Sequence, residues 1–363
     1  MTGFSIAQAQ PGGKILVGQS AALTGPAAQL GIQYAQGAKL YFDQVNAQGG
    51  VGQRQIELRT LDDGYEPERC LENTRKLLAA DAVALFGYIG TPTSLAALPL
   101  ATQAKTPFVA PFTGAMALRD PFNKYAFHIR ASYQDETALI VKQLTQLGLD
   151  RIAVFYQNDA YGKAGLEGVT LALAKLGRKP VALATVERNS VDVAAAAQAL
   201  RAAEPQAIVQ ISAYKSCAAF IRAARKVGYG GQFFNVSFVG TQALADELGK
   251  EGAGIVVSQV MPSPYSTSTA LARNFADAVK AAGGDAQVNF SSMEGYLAAK
   301  VLVDGLKRAA ASKGISRDAL VTGLESLGTQ SYGGFAVKLS ASEHVGSSFV
   351  DLSMLTGDGR IRM

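Results

Sequence analysis

Short apolar runs alternate along this chain with longer amphipathic stretches, almost without interruption. The first cycle opens with Lys14-Ile-Leu-Val-Gly-Gln-Ser20 and passes through Leu23-Thr-Gly-Pro26 into an amphipathic stretch that ends at Asn46-Ala-Gln-Gly-Gly50. A second apolar run, Ile56 to Leu61, closes on Asp62-Asp63. Short apolar runs without alternation predict strands buried on both faces, and apolar spacings of three and four predict helices. The opening is thus a strand–turn–helix–strand unit. Further strands are predicted over 82–86, 108–110, 151–156, 181–186, 207–211, 233–236 and 254–257, with helices over 67–78, 94–104, 135–147, 165–176, 193–203 and 217–227. Gly148, Gly177 and Gly228 follow helices, where left-handed caps belong. The pattern is that of an α/β protein with parallel sheets covered by helices on both faces.

So many strands exceed one comfortable sheet, so two lobes are predicted. One boundary lies near Tyr125-Ala-Phe-His-Ile-Arg130, where a short strand leads through Ala131-Ser-Tyr-Gln-Asp135 into a new helix. A second lies at 257–264, where a strand runs into a Pro-Ser-Pro turn. Helices over 269–282, 292–311 and 316–327 follow, then strands over 334–339 and 347–355, the last ending in the Gly357-Asp-Gly359 turn. Such a chain can cross between lobes more than once.

Composition narrows the function. The 363 residues are 48% hydrophobic, enough for two cores, and only 17% charged. Thirty-four basic residues against 29 acidic ones give a formal charge of +5. The basic residues are spread over helix faces, as at Arg75-Lys76, Arg178-Lys179 and Lys307-Arg308, with no patch interleaved with aromatics, so a nucleic-acid partner is not expected. No run approaches the roughly 20 apolar residues of a membrane span. Within the first thirteen residues, Ala7-Gln8-Ala9 has the small-x-small form of a signal-peptidase site, but a basic segment and an apolar segment are missing. This stretch reads either as the stub of a trimmed export signal or as a plain leader. Cys70 and Cys217 sit on separate predicted helices and read as unpaired, buried thiols.

Catalytic patterns are missing. His128 and His344 have no triad partner and no metal-ligand spacing, and read as structural. Gly162-Lys163 is followed by alanine, so it is no phosphate loop, and no Gly-x-Ser-x-Gly elbow occurs. Gly49-Gly-Val-Gly52 follows a helix and precedes a strand, the reverse of a dinucleotide loop. Asp62-Asp63, with no further acid or histidine pattern nearby, reads as a solvated turn. Neither an enzyme nor a cofactor is expected. What remains are strand ends rich in hydroxyls: Gly87-Tyr-Ile-Gly-Thr91-Pro-Thr-Ser94, Ala110-Pro-Phe-Thr113-Gly114, Asn158-Asp-Ala-Tyr161-Gly162 and Ser212-Ala-Tyr214-Lys215. Helix-start amides with hydroxyls suit a carboxylate, and tyrosines supply an apolar face with a directed hydroxyl. Four such loops in equivalent positions predict a small-molecule cleft between the lobes.

From Lys14 onward the chain resembles the type I periplasmic solute-binding proteins of the leucine/isoleucine/valine-binding group, the receptors of ABC importers. The resemblance rests on Leu23-Thr-Gly-Pro26, Asn46-Ala-Gln-Gly-Gly50, Leu61-Asp-Asp63, Ala110-Pro-Phe-Thr-Gly114, Ile129-Arg130 with Asp135, Asp159-Ala-Tyr-Gly162 and Ala224-Arg-Lys-Val-Gly228, in that order and spacing. It implies two Rossmann-like lobes joined by three hinge crossings, with residues 14–130 and 258–345 in one lobe and 131–257 and 346–363 in the other. It also implies a periplasmic monomer that traps a ligand by lobe closure, does no chemistry and hands the ligand to a membrane permease. The alternative is a ligand-sensing regulatory protein of the same fold.

The resemblance assigns the ligand carboxylate to Thr91, Thr113 and Gly114, and the second-lobe contacts to Asp135, Tyr161 and Tyr214. Two positions depart from the family pattern. Leu30 stands where an aromatic covers the ligand, and Ser237 stands where an acid holds the ligand ammonium. Without that acid, and with Lys215 nearby, a carboxylate lacking an amine fits at least as well as an amino acid. The expected ligand is a small carboxylate or amino acid: a branched-chain amino acid, an aromatic acid or an oxo acid.

Overall fold

The computed structural model describes residues 13–363, so the leader reading for 1–13 falls, apart from Gly13, outside the described residues. Two main sheets organise the chain. The first takes β1 (Ile15–Ala21), β2 (Ile56–Asp62), β3 (Ala84–Phe86), β4 (Phe108–Val109) and β5 (Ala126–Phe127) in the order β2-β1-β3-β4-β5, every pair parallel. Helices α1 (Ala28–Ala47), α2 (Pro67–Ala79) and α3 (Thr91–Gln103) link its first four strands.

The second lobe opens with α4 (Tyr133–Gln146). It continues through β6 (Ile152–Gln157), α5 (Ala160–Ala174), β7 (Leu183–Val186), α6 (Ala194–Ala202), β8 (Ala207–Ile211), α7 (Tyr214–Lys226), β9 (Gln232–Asn235), α8 (Thr241–Leu248) and β10 (Val256–Gln259). Helices α9 (Ala270–Ala282), α10 (Phe290–Ser312) and α11 (Arg317–Glu325) and the hairpin β11 (Gly328–Tyr332) with β12 (Phe335–Leu339) come next. The chain ends on β13 (Asp351–Leu355) and β14 (Ile361–Arg362). The second sheet has the order β14-β13-β10-β9-β8-β6-β7, parallel from β7 to β10 and antiparallel where β13 and β14 add on.

The local physics follows the sequence pattern. β6 is buried at every position but Tyr156, as a strand covered on both faces must be. On α7 the residues Cys217, Phe220, Ile221 and Ala224 share one buried stripe. α10 packs against α1 at close range, which only small residues permit: a Cβ on Gly37 would fall 1.7 Å from the Ser292 carbonyl oxygen, and one on Gly295 would fall 2.1 Å from that of Tyr34. This contact returns α10 to the first lobe and fixes Glu294, the neighbour of Gly295.

Three crossings join the lobes: after β5, after β10, and between β12 and β13. The first and third run side by side, with the His128 amide donating to the His344 carbonyl at 2.8 Å and the Gly346 amide to that of His128 at 2.7 Å. The His344 ring stacks on Phe127 at 3.9 Å and its Nδ1 lies 3.1 Å from the Ala126 carbonyl oxygen, so both histidines serve the hinge region as structural groups.

Some elements differ from the sequence reading. β11 carries only polar residues between Gly328 and Tyr332, and its partly exposed hairpin gave no apolar run to find. The interior strand β4 and the edge strand β5 shrink to two residues each. Cys70 and Cys217 are buried and unpaired, as read.

Candidate ligand-binding cleft

The first-lobe wall is built at strand ends. Thr91 opens α3, and Thr113 lies in the turn after β4, so their side-chain oxygens come within 2.7 Å of each other, fully buried. The first amides of α3 have no partner one turn back, which makes this helix start a natural anion seat. Gly114 contributes its carbonyl, which accepts the Tyr133 amide at 2.8 Å and ties this turn to the start of α4.

Two tyrosines stand opposite. Tyr133 and Tyr161, each in the first turn of its helix, have rings 5.3 Å apart, and neither hydroxyl has a hydrogen-bond partner among the described residues. α5 is positioned by Asp159, whose side chain accepts from the Tyr161 and Gly162 amides. Phe238, in a single helical turn over Ser237–Val239, spans the junction of the lobes. Its ring lies 4.5 Å from that of Tyr161, 5.6 Å from that of Phe112 and 5.9 Å from that of Tyr65. Leu30 is buried in α1 and touches the second lobe at Gly240. Tyr214 begins α7 and is buried beside the Gln29 backbone.

Charge is concentrated at the first crossing. The Arg130 guanidinium is fully buried, 4.6 Å over the Phe112 ring, with Nη2 donating to the Ser237 hydroxyl. Glu136 Oε1 lies 3.8 Å from it and Glu294 Oε1 lies 3.6 Å from its Nε. Burial would lower the Arg130 pKa, but Glu294 and Glu136 outweigh that and raise it. Burial raises both acids, Glu294 to about 7, against the pull of Arg130.

Several sequence expectations are revised here. Asp135 closes a capping box on α4, accepting from the Ser132 amide and hydroxyl, whereas its neighbour Glu136 turns into the interior. Lys215 is exposed, and the buried cation at the lobe junction is Arg130. Asp62-Asp63 is not a solvated turn. Asp63 is fully buried and bonded by Ser20 and the Tyr65 amide, and burial raises it to about 6. Burial would raise Asp62 as well, but donors from Thr24, Leu23, Gly64 and Arg69 hold it at about 2.

The sequence reading missed roles for Arg130, Glu136 and Glu294. One signal existed for the last: Glu294 interrupts the apolar face of α10 shared by Met293, Leu297, Ala298 and Val301. A charge on a buried helix face requires a partner. Near the outer edge of the cleft, Glu66 is bonded by Arg188 and Asn189 from the second lobe, at 2.8 and 2.7 Å, and Gln157 reaches the Tyr65 hydroxyl. Among the described residues no metal-binding group of side chains occurs and no helix is long and apolar enough to cross a membrane.

The periplasmic binding protein family model matches residues 14–357. A crystal structure of a possible leucine/isoleucine/valine-binding protein from Rhodopirellula baltica SH 1 is 34% identical, with a TM-score of 0.92 over 97% of this chain and 96% of that one. A substrate-binding periplasmic protein from Ralstonia solanacearum is 31% identical, with a TM-score of 0.90 over 96% of this chain and 99% of that one. Leu/Ile/Val-binding protein homolog 7 of Brucella suis biovar 1 (strain 1330) is 24% identical over 81% of this chain and 77% of its own length. With the two lobes, the triple crossing and the hydroxyl-lined junction, these likenesses place the chain: it belongs to the type I periplasmic solute-binding proteins of the leucine/isoleucine/valine-binding group.

Proposed function

We propose that this chain is the periplasmic receptor of an ABC importer, a monomer that captures a small carboxylate or amino acid by lobe closure and delivers it to a membrane permease. The closing bodies are the two lobes read from the sequence, 14–130 with 258–345 and 131–257 with 346–363, with the second boundary moved to the end of β10 at Gln259 so that Ser258 and Gln259 belong to the second lobe. The observation that carries the reading is the buried Thr91–Thr113 hydroxyl pair at the start of α3, with the unpartnered Tyr133 hydroxyl adjoining Thr113 from the other lobe. Such a seat binds a carboxylate through hydroxyls and helix-start amides, and the tyrosine rings border it. Leu30, Phe112 and Phe238 supply apolar surface for a branched or aromatic side group. The names of the similar proteins point to the same class of solutes.

The test is a thermal-shift and calorimetry panel of aliphatic and aromatic amino acids, the matching 2-oxo acids and neutral sugars. Carboxylate compounds are expected to raise the melting temperature with saturable binding, and T91A is expected to weaken that binding. A panel in which no carboxylate stabilises the protein overturns the reading.

A further inference from the structure

The charges at the lobe junction do not balance. Arg119 and Arg130 face Asp135, Glu136 and Glu294, two guanidinium groups against three carboxylates. Three of these groups have hydrogen-bond partners, although the buried Arg119 Nε has none. Arg119 donates to the carbonyls of Thr113, Arg130 and Ala131, and Asp135 caps α4. Glu136 accepts from the Ser237 amide, the Ser237 hydroxyl and the Ser258 hydroxyl, all in the second lobe. Glu294 is different. It is buried, its nearest cation stands 3.6 Å away at Arg130 Nε, beyond hydrogen-bond length, and no described residue donates to it. Arg130 Nε and Nη1 are likewise buried without hydrogen-bond partners.

We infer that Glu294 is the counter-ion for a positively charged group of the ligand. The role is displaced from the second lobe, where Ser237 carries no charge and Glu136 is committed to Arg130, to helix α10 of the first lobe. This rests on the receptor reading above and narrows it: the ligand carries an ammonium group beside its carboxylate. An acid buried with an incomplete partner set gains most from an added donor cation. The same carboxyl is raised by burial to about 7, with Arg130, Glu136, Arg119 and Tyr34 facing it, so pairing with an ammonium would drive off its proton near neutral pH.

The experiment compares leucine with 4-methyl-2-oxopentanoate and phenylalanine with phenylpyruvate, by calorimetry at pH 7 on the wild type and E294Q. The wild type is expected to prefer the amino acid of each pair. E294Q is expected to lose about tenfold to a hundredfold in affinity for the amino acid, the range of a charged hydrogen bond, and to bind the oxo acid no more weakly. On the wild type alone, titration in phosphate and in Tris is expected to give different binding enthalpies for the amino acid, the signature of a released proton. If both classes bind equally, E294Q changes neither and the enthalpies agree between buffers, the inference falls while the receptor reading stands. If neither class binds the wild type, the receptor reading fails first and the inference with it.

Discussion

Ser237 holds Glu136 at two points, its amide 2.7 Å from Oε2 and its hydroxyl 3.0 Å from Oε1, while the same hydroxyl accepts from Arg130. A serine therefore stands at 237 because an acid from α4 already fills the space beside it. Removing that acid leaves a buried guanidinium with Glu294 as its remaining carboxylate. E136A is expected to lower unfolding free energy by about 3–5 kcal/mol, with E136Q closer to wild type. Urea titration measures this; a loss below about 1 kcal/mol for E136A would show that the pair is not what holds the crossing.

The hydroxyl pair should read out in affinity rather than stability. T91A and T113V are each expected to weaken binding of a carboxylate ligand by about 1–3 kcal/mol. Because the two side chains share one hydrogen bond, the double variant should lose less than the sum. Full additivity in calorimetry would mean that they act at separate places.

Gly240 and Leu30 meet across the lobes. Gly240 has φ of +78°, and a Cβ there would lie 2.4 Å from Leu30 Cδ2. G240A thus adds backbone strain of about 1–2 kcal/mol and blocks closure. Adding L30A should restore the closure-dependent part, seen as recovered ligand affinity, but not the backbone part, seen as melting temperature. An affinity that L30A fails to improve would remove steric contact as the cause.

Asp63 predicts a pH signature. Its folded pKa is raised to about 6, so the folded state holds its proton where the unfolded chain has released it. The contribution is fully present below the unfolded value near 3.8 and fades as pH rises through about 6, at roughly 1.4 kcal/mol per pH unit within that window. D63N should show a flatter profile than wild type between these limits. Parallel curves of stability against pH would refute this assignment.

The fold was legible because buried parallel strands leave continuous apolar runs such as that of β6, which need no partner to be recognised. Thr91 and Thr113 were legible as hydroxyls at strand ends facing helix starts. The charge cluster was not, because Arg130 and Glu136 are joined by Glu294 from a helix far along the chain. Glu136 sits beside Asp135, and only the capping geometry of Ser132 decides which carboxylate turns inward. Glu294 reaches Arg130 through a helix crossing made by Gly37 and Gly295, a proximity absent from local pattern. Asp63 looked like half of a polar pair, yet the backbone directs it inward and Asp62 outward.

The hydrogen bonds that lace His128 to His344 and Gly346 turn two connections into one ribbon. A ribbon flexes readily across its flat face and resists shear within its plane. In the proposed receptor the lobes would therefore rock like covers on a common spine, with sliding opposed by both bonds at once. Arg130, two residues along that spine, sits between Phe112 and Glu136, a seat to which each proposed closure would return it. Selectivity in that receptor would then depend on which solutes tolerate a jaw whose bite is fixed by its hinge.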